Sequence, residues 1–319
     1  MKAKKQKMKA KKQKQEFDLM TMMERFGDEE KCRTYLEHLR WPEGVRCIRC
    51  QSDKISRIYT RNMFVCDSCD YQFSVKTATI FHDSHLPLMK WFAAIYLMSE
   101  AKKGVSANQL KRNLGVAYKT AWYLCHRIRA AVKDADTSLL KGIVEVDETY
   151  IGGKAKNMHK DVRERKIDGR GIVGKAMVLG AIQRGGGIRL TVEKSNDRRT
   201  LHKFIKAALD DSTECIMTDT FPAYEGIADE NTRHETVNHL AKEYVRGECH
   251  TNGVDGVWSL FKRSIVGSYH QVSTKHLDAY LDEFEFRFNN RDNPYLFRDT
   301  LLRLINSSSL EYKELTAER

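Results

Sequence analysis

The sequence predicts an α/β protein in three successive parts: a small cysteine-held ribbon, a helical unit, and a larger sheet-and-helix domain. Three observations predict it. Two C-x2-C pairs, Cys47/Cys50 and Cys66/Cys69, are separated by fifteen residues. A long helical pattern over residues 88 to 133 follows them. Beyond it, strand-like runs alternate with amphipathic helices, and Asp147 and Asp219 fall on two of those runs.

Composition narrows the function classes. The chain has 319 residues, of which 41% are hydrophobic, enough for two or three domains with cores. No apolar run approaches the ~20 residues of a membrane span, and no apolar stretch follows the lysine-rich start as a secretory signal would require. A cytoplasmic protein with no membrane partner is expected. Net charge is +12, and residues 1–16 carry about +7 of it in eight Lys and one Glu. That segment repeats Met-Lys-Ala-Lys-Lys-Gln-Lys at 1 and at 8 and is too polar to bury a core. It reads as a disordered basic arm, either a non-specific phosphate contact or a solubilising tail.

Residues 17–85 read as short helices and the ribbon. Phe17, Leu19, Met20, Met23 and Phe26 give one apolar face, and Gly27-Asp28 interrupts the pattern before a second helix. The C-x2-C-x15-C-x2-C spacing, with short strands between the pairs, is that of four thiolates, Cys47, Cys50, Cys66 and Cys69, around one structural Zn2+. Four thiolates leave no open coordination position, which argues against a catalytic zinc. Cys32, Cys125, Cys215 and Cys249 are scattered and read as small buried hydrophobes in a reducing compartment.

Residues 86–140 read as a helix-turn-helix domain that binds DNA. Ser106 caps a helix through Leu110 and Leu114, Gly115 makes the turn, and Ala117 to Val132 forms the second helix. Its inward face holds Ala121, Trp122, Leu124, Cys125 and Ile128, leaving Lys119, Arg127 and Arg129 for the outer, DNA-binding face. The plainer alternative is a helical hairpin within a core.

Residues 141–305 form the third domain, with 306–319 as a tail. Strands at 143–151, 176–183 and 188–193 come first, the last two joined by a turn at Arg184-Gly-Gly-Gly187. An amphipathic helix from Arg198 to Leu209, a strand at 214–218, a short helix at 221–224, a further strand near 235–238 and a helix at 253–263 follow. Three consecutive strands, a helix, a strand and further helices are the order of a ribonuclease-H-like fold. Asp147 then lies on the first strand and Asp219 at the end of the fourth. The aromatic-rich stretch 274–305 reads as a closing helix packed on this domain.

Carboxylates at two strand ends and on one helix can converge on a pair of Mg2+ or Mn2+ ions, which prefer oxygen ligands. Such a pair stabilises the attacking and leaving oxygens of a phosphoryl displacement. Asp147 and Asp219 are the first two ligands. Asp255 is the favoured third; Lys262, seven residues on, shares its helix face and would hold a phosphate. Asn252 is the alternative third ligand, a substrate contact, or simply a helix cap. Glu148 points to the opposite face of its strand and is not assigned to the site.

The residues that carry this chemistry also carry a resemblance. The run His250-Thr-Asn-Gly-Val-Asp-Gly-Val-Trp-Ser-Leu-Phe-Lys-Arg263 resembles the signature of a group of bacterial insertion-sequence transposases, the ISXO-like family. Val146-Asp-Glu-Thr-Tyr-Ile-Gly-Gly153, Gly171-Ile-Val-Gly-Lys175, Thr218-Asp219, Gly267-Ser-Tyr-His270 and Glu283-Phe-Glu-Phe-Arg287 are similar too. So are the zinc ribbon, Phe73-Ser-Val-Lys-Thr77, Lys119-Thr-Ala-Trp122 and His126-Arg-Ile-Arg129, so that the likeness spans about residues 20 to 305. It implies a DDE-type transposase that recognises the element's inverted repeats, joins them to target double-stranded DNA, and works as a homo-oligomer on two ends. Where the family usually places Glu in its third acidic position, this chain has Asp255, one methylene shorter. That departure leaves open whether Asp255 serves, whether Asn252 replaces it, or whether the copy is weakly active. A DNA-binding regulator with an inactive third domain and a hydrolytic nuclease of the same fold are the competing functions.

Overall fold

The computed structural model describes residues 17–133, 138–152 and 175–317. The basic arm at 1–16 and the motif residues Gly153 and Gly171–Gly174 lie outside the described residues. The chain divides into two compact units.

The first unit is built from residues up to 101, residues 107–132, and the stretch from 292 onward. Its helices α1 (Leu19–Phe26) and α2 (Glu29–Arg40) start where Asp18 and Asp28 accept hydrogen bonds from Thr21 N at 2.8 Å and Lys31 N at 2.7 Å. Each aspartate satisfies a backbone donor that the first helical turn leaves unpaired. The ribbon strands β1 (Ile55–Ile58), β2 (Met63–Cys66) and β3 (Gln72–Phe73) pair antiparallel in sequence order. Helices α3 (Leu88–Glu100), α4 (Ala107–Leu114) and α5 (Tyr118–Val132) follow, with Gly115 at φ +60° turning the chain between the last two.

The second unit holds a five-stranded sheet of β4 (Leu140–Ile151), β5 (Ala176–Gln183), β6 (Ile188–Glu193), β7 (Leu209–Asp219) and β8 (Arg233–Val237). Their spatial order is β6-β5-β4-β7-β8. The first three pair antiparallel; β7 runs parallel to β4 and β8 parallel to β7. This is the ribonuclease-H-like order the sequence predicts, with the first strand in the centre. Helix α6 (Arg198–Ala208) covers one face, where Leu201 and Ile205 pack on Val144, Val146 and Ile216. Helices α7 (Asn252–Ser264) and α8 (Leu277–Asn289) cover the other, where Val257, Phe261, Leu281 and Phe284 pack on Val178, Ile182 and Ile188. A two-residue ribbon, β9 (Val245–Arg246) with β10 (Cys249–His250), leads into α7. The four scattered cysteines, Cys32, Cys125, Cys215 and Cys249, are buried and in no disulfide, as expected of small hydrophobes.

The stretch 274–305 does not form one closing element. Helix α8 packs on the sheet, whereas the next helix, α9 (Leu296–Asn306), packs within the first unit. Phe297 decides this: its ring stacks at 4.8 Å on Phe17 and lies 5.7 Å from Phe92. Two aromatic partners distant in sequence outweigh proximity along the chain.

Candidate zinc site and candidate active site

The four thiols of the ribbon come together by two copies of one local turn. Gln51 N donates to Cys47 O at 2.9 Å, and Asp70 N donates to Cys66 O at 2.8 Å. Gln51 and Asp70 both adopt left-handed backbone, φ 64° and 54°. Each turn points its two sulfurs the same way, so the pair of turns makes a four-sulfur cage. Cys47 and Cys69 Sγ stand 3.7 Å apart and Cys50 and Cys66 Sγ 3.5 Å apart, and all four lie within 4.8 Å of one another. A zinc ion with Zn–S bonds near 2.3 Å requires sulfurs about 3.8 Å apart, so the donor set fits the metal. Around it Trp41, Phe64 and Phe73 pack edge to face.

Crowding makes these thiols unequal. Burial pushes the Cys47 thiol up, but the amides of Cys50 and Arg49 and the neighbouring thiols outweigh it and hold it down at about 6. At Cys69 the Tyr71 amide favours the thiolate, yet burial and the other three thiols together push it up to about 12. Four adjacent thiols cannot all ionise unless a cation neutralises them, which is what zinc supplies.

The helix-turn-helix residues separate. Lys119 is exposed near the start of α5, its Nζ 4.4 Å over the Tyr312 ring. Tyr118 and Thr120 beside it are exposed too. Arg127 and Arg129, expected on the outer face, are only 4% and 1% exposed. Arg127 lies over the rings of Trp91 and Tyr123 and donates to His82 O at 2.6 Å. A planar guanidinium can be buried when it stacks on aromatic faces and finds a carbonyl. The helical wheel could not anticipate that, and it corrects the assignment of both arginines to a DNA-facing surface.

In the second unit, Asp147 sits mid-strand on β4, directly opposite Gly180 of β5 in the register. Trp258 of α7 lies over that glycine: a Cβ at Gly180 would come within 2.4 Å of its ring. The indole Nε1 thereby donates to Asp147 Oδ2 at 2.9 Å. Asp219 ends β7, where its Oδ1 accepts Phe221 N at 3.0 Å. Asp255 is exposed in the first turn of α7; Asn252 and Lys262 are also exposed on that helix. At 100° per residue Asp255 and Lys262 both fall within about 60° of Trp258, the residue that touches Asp147.

The carboxylates act on one another. Burial pushes Asp147 up to about 7, reinforced by Glu148, Asp255 and Asp219 and opposed by the Trp258 hydrogen bond. The charges of Asp255 and Asp219 therefore reach Asp147, and Asn252 brings none. Their oxygens are not drawn together as the thiols are: among the described residues the cysteine cage is the one group of three or more ligand-type side chains within 4.8 Å. Glu148 lies on the opposite face, where Tyr224 Oη donates to it at 2.6 Å. Burial raises its proton affinity, and Asp219 adds to the rise. It is thus on the other face of β4 from Asp147 yet inside the same field.

A pH prediction follows. In the fold the neutral Asp147 acid is favoured over its ordinary value of 3.8. In the metal-free protein the contribution of this one group to stability is therefore fully present below that value and is lost as pH rises to about 7. Asn cannot ionise, so Asp147→Asn is expected to melt above wild type in EDTA, with a gap that widens from pH 5 to pH 7 and then stays constant. Thermal unfolding across that range checks it; melting curves that move in parallel would contradict the burial of this carboxyl.

Three residues at this site went unnoticed in the sequence: Trp258, Gly180 and Glu145. Glu145 precedes Asp147 by two on the same strand, so period-2 alternation places it on the same face. Trp258 follows Asp255 by three in an otherwise core-like run, and its contact depends on how α7 crosses the sheet.

Residues 139–289 match the ISXO2-like transposase domain, and residues 27–72 match the transposase zinc-ribbon domain. The chain carries an ISXO2-like transposase domain and a transposase zinc ribbon. Both matched domains coincide with elements described above, the ribbon with the cysteine cage and the larger match with the sheet that carries Asp147 and Asp219 and the helix that carries Asp255. A protein of the transposable element ISH50 of Halobacterium salinarum is 29% identical over 278 residues, covering 84% of this chain and 93% of its own. A transposase-like protein of Haemophilus influenzae is 29% identical over 77 residues, covering 24% of this chain and 61% of its own. Among solved structures, a simian T-cell lymphotropic virus intasome in complex with PP2A regulatory subunit B56 gamma matches at TM-score 0.29 and 14% identity, over 56% of this chain and 63% of that one. A pre-cleavage Mos1 transpososome matches at TM-score 0.26 and 12% identity, over 69% and 79%. Likenesses this low carry no weight beside the family match. No helix among the described residues is long and apolar enough to cross a membrane.

Proposed function

We propose that this chain binds the terminal inverted repeats of its own element, cuts the DNA strands there and joins the freed ends to target DNA. The observation that carries the reading is the setting of Asp147: burial, reinforced by carboxylates from β4, β7 and the first turn of α7, raises this acid to about 7. Like charges gathered against burial are costly unless a cation uses them. Asp147, Asp219 and Asp255 would hold Mg2+ or Mn2+, which supplies activation of the attacking oxygen and stabilisation of the leaving one. Trp258 fixes the rotamer of Asp147, so that its free oxygen faces the site. Lys262 holds the phosphate beside Asp255. Lys119, at the start of the second helix of the helix-turn-helix, contacts DNA. The zinc ribbon supports recognition of the ends, and two or more copies act together on two ends.

A strand-transfer assay tests this, with a labelled inverted-repeat end, target plasmid and Mg2+. Wild type is expected to give joined product. Asp255→Ala is expected to lose at least ~10²-fold in rate, whereas Asn252→Ala stays within about tenfold, because only Asp255 brings charge to the site. Cleavage without joining would mean a hydrolytic nuclease. End binding with neither reaction would mean a regulator, and the proposal would fall.

A further inference from the structure

The helix that carries Asp255 begins without a cap of its own. Thr251, at the N-cap position of α7, makes no side-chain hydrogen bond to the first turn. The unpaired amides are met instead from the sheet. Glu145, fully buried on β4, accepts Gly253 N at 2.6 Å and Val254 N at 3.1 Å through Oε2. A carboxylate there satisfies donors that a helix leaves orphaned and favours the positive end of its dipole.

The second oxygen of Glu145 is tied elsewhere. Oε1 accepts Arg184 Nε at 2.8 Å and lies 3.2 Å from His250 Nδ1. Arg184 comes from the β5–β6 turn and donates onward to Glu248 O at 2.9 Å and His250 O at 3.1 Å, on the chain entering α7. Two separate segments are thus fastened to one buried carboxylate. Glycine at 253 leaves room for this contact: a Cβ there would stand 2.7 Å from Oε2, and the carboxylate would have to shift.

We propose that Glu145 is a positioning residue that sets Asp255 against Asp147. Both acids are referred to it over short paths. Asp147 lies two residues along the same strand, and Asp255 is the residue after Val254, whose amide Glu145 holds. The catalytic half of this inference rests on the transposase reading above; the capping half does not. A buried ion pair is weak evidence for stability by itself, so the role lies in geometry: misplacing a reacting group by about 1 Å can cost ~10²-fold in rate.

The experiment compares Glu145→Gln, Gly253→Ala and Gly256→Ala in the full chain. Gly256 lies on the same helix, and a methyl added there meets open space. Hydrogen exchange is read on peptides covering 251–258, together with affinity for a labelled inverted-repeat end and single-turnover cleavage at saturating Mn2+. Glu145→Gln and Gly253→Ala are expected to exchange roughly tenfold faster in that segment alone. They keep end affinity within about twofold and lose about 10²-fold in cleavage rate. Gly256→Ala should match wild type in all three. Unchanged exchange in Glu145→Gln and Gly253→Ala overturns the cap. Faster exchange with wild-type cleavage overturns the positioning role, as does a loss spread over the whole domain and end binding alike. If wild type itself fails to cleave, the transposase reading falls, and the exchange data still decide whether Glu145 caps α7.

Discussion

Replacing Asp147 or Asp219 by Asn is expected to abolish strand cleavage, by about 10³-fold or more, while end binding stays intact. Asn preserves size and can still accept the Trp258 Nε1–H that holds Asp147 at 2.9 Å. At Asp219 it can still accept Phe221 N. What disappears is one negative charge at a place where several act together. Divalent ions of the magnesium type need that charge on oxygen, and a metal contributes several kcal/mol of transition-state stabilisation, at ~1.4 kcal/mol per tenfold in rate. The measurement is single-turnover cleavage of a labelled inverted-repeat end, with binding to the same end followed by fluorescence anisotropy. Cleavage within tenfold of wild type in either variant would move the site elsewhere. Asp147→Asn is also expected to be the more stable protein without metal near neutral pH, so activity and stability should change in opposite directions. A carboxylate that costs the fold and serves the reaction behaves this way.

Cys47→Ser or Cys66→Ser is expected to remove zinc and unfold the ribbon, with loss of specific end binding. The ribbon strands are two to four residues long. So small a unit holds few buried side chains: Phe64, Phe73 and the two buried cysteines, packed with partly buried neighbours. Structural zinc contributes on the order of 10–16 kcal/mol in comparable small sites, far more than this core can supply. Metal content after gel filtration is the direct readout, one equivalent for wild type and much less than one for either variant. Tryptophan fluorescence gives a second, because Trp41 packs 5.5 Å from Phe64 and 5.9 Å from Phe73 beside the cage. Full zinc content in both variants would refute the four-thiolate assignment.

Much of the molecule can be read before it folds. The caps at Asp18 and Asp28, the Gly115 turn and the strand register around the Arg184-Gly-Gly-Gly187 hairpin depend on neighbours within a few residues. The paired cysteines do too, since each turn is closed by its own backbone. Other features resist such reading. Arg127 looks like an outward cation on a helical wheel, yet the Trp91 and Tyr123 rings and a carbonyl at residue 82 receive it inside. Helix α9 follows the sheet domain in sequence and packs elsewhere because Phe297 finds Phe17 and Phe92.

The sequence by itself determined the element order, the thiolate spacing and the placing of Asp147, Asp219 and Asp255 on two strands and a helix, because periodicity and turn chemistry are short-range. Only the tertiary structure decided what surrounds those acids. Trp258 reaches Asp147 because Gly180 lies opposite it on the next strand and leaves room for the indole. Glu145 caps α7 because the helix start meets β4 after a separation of 108 residues, at a glycine. Such contacts join segments with no local relation, and nothing but the packing of helix on sheet brings their atoms within hydrogen-bond range.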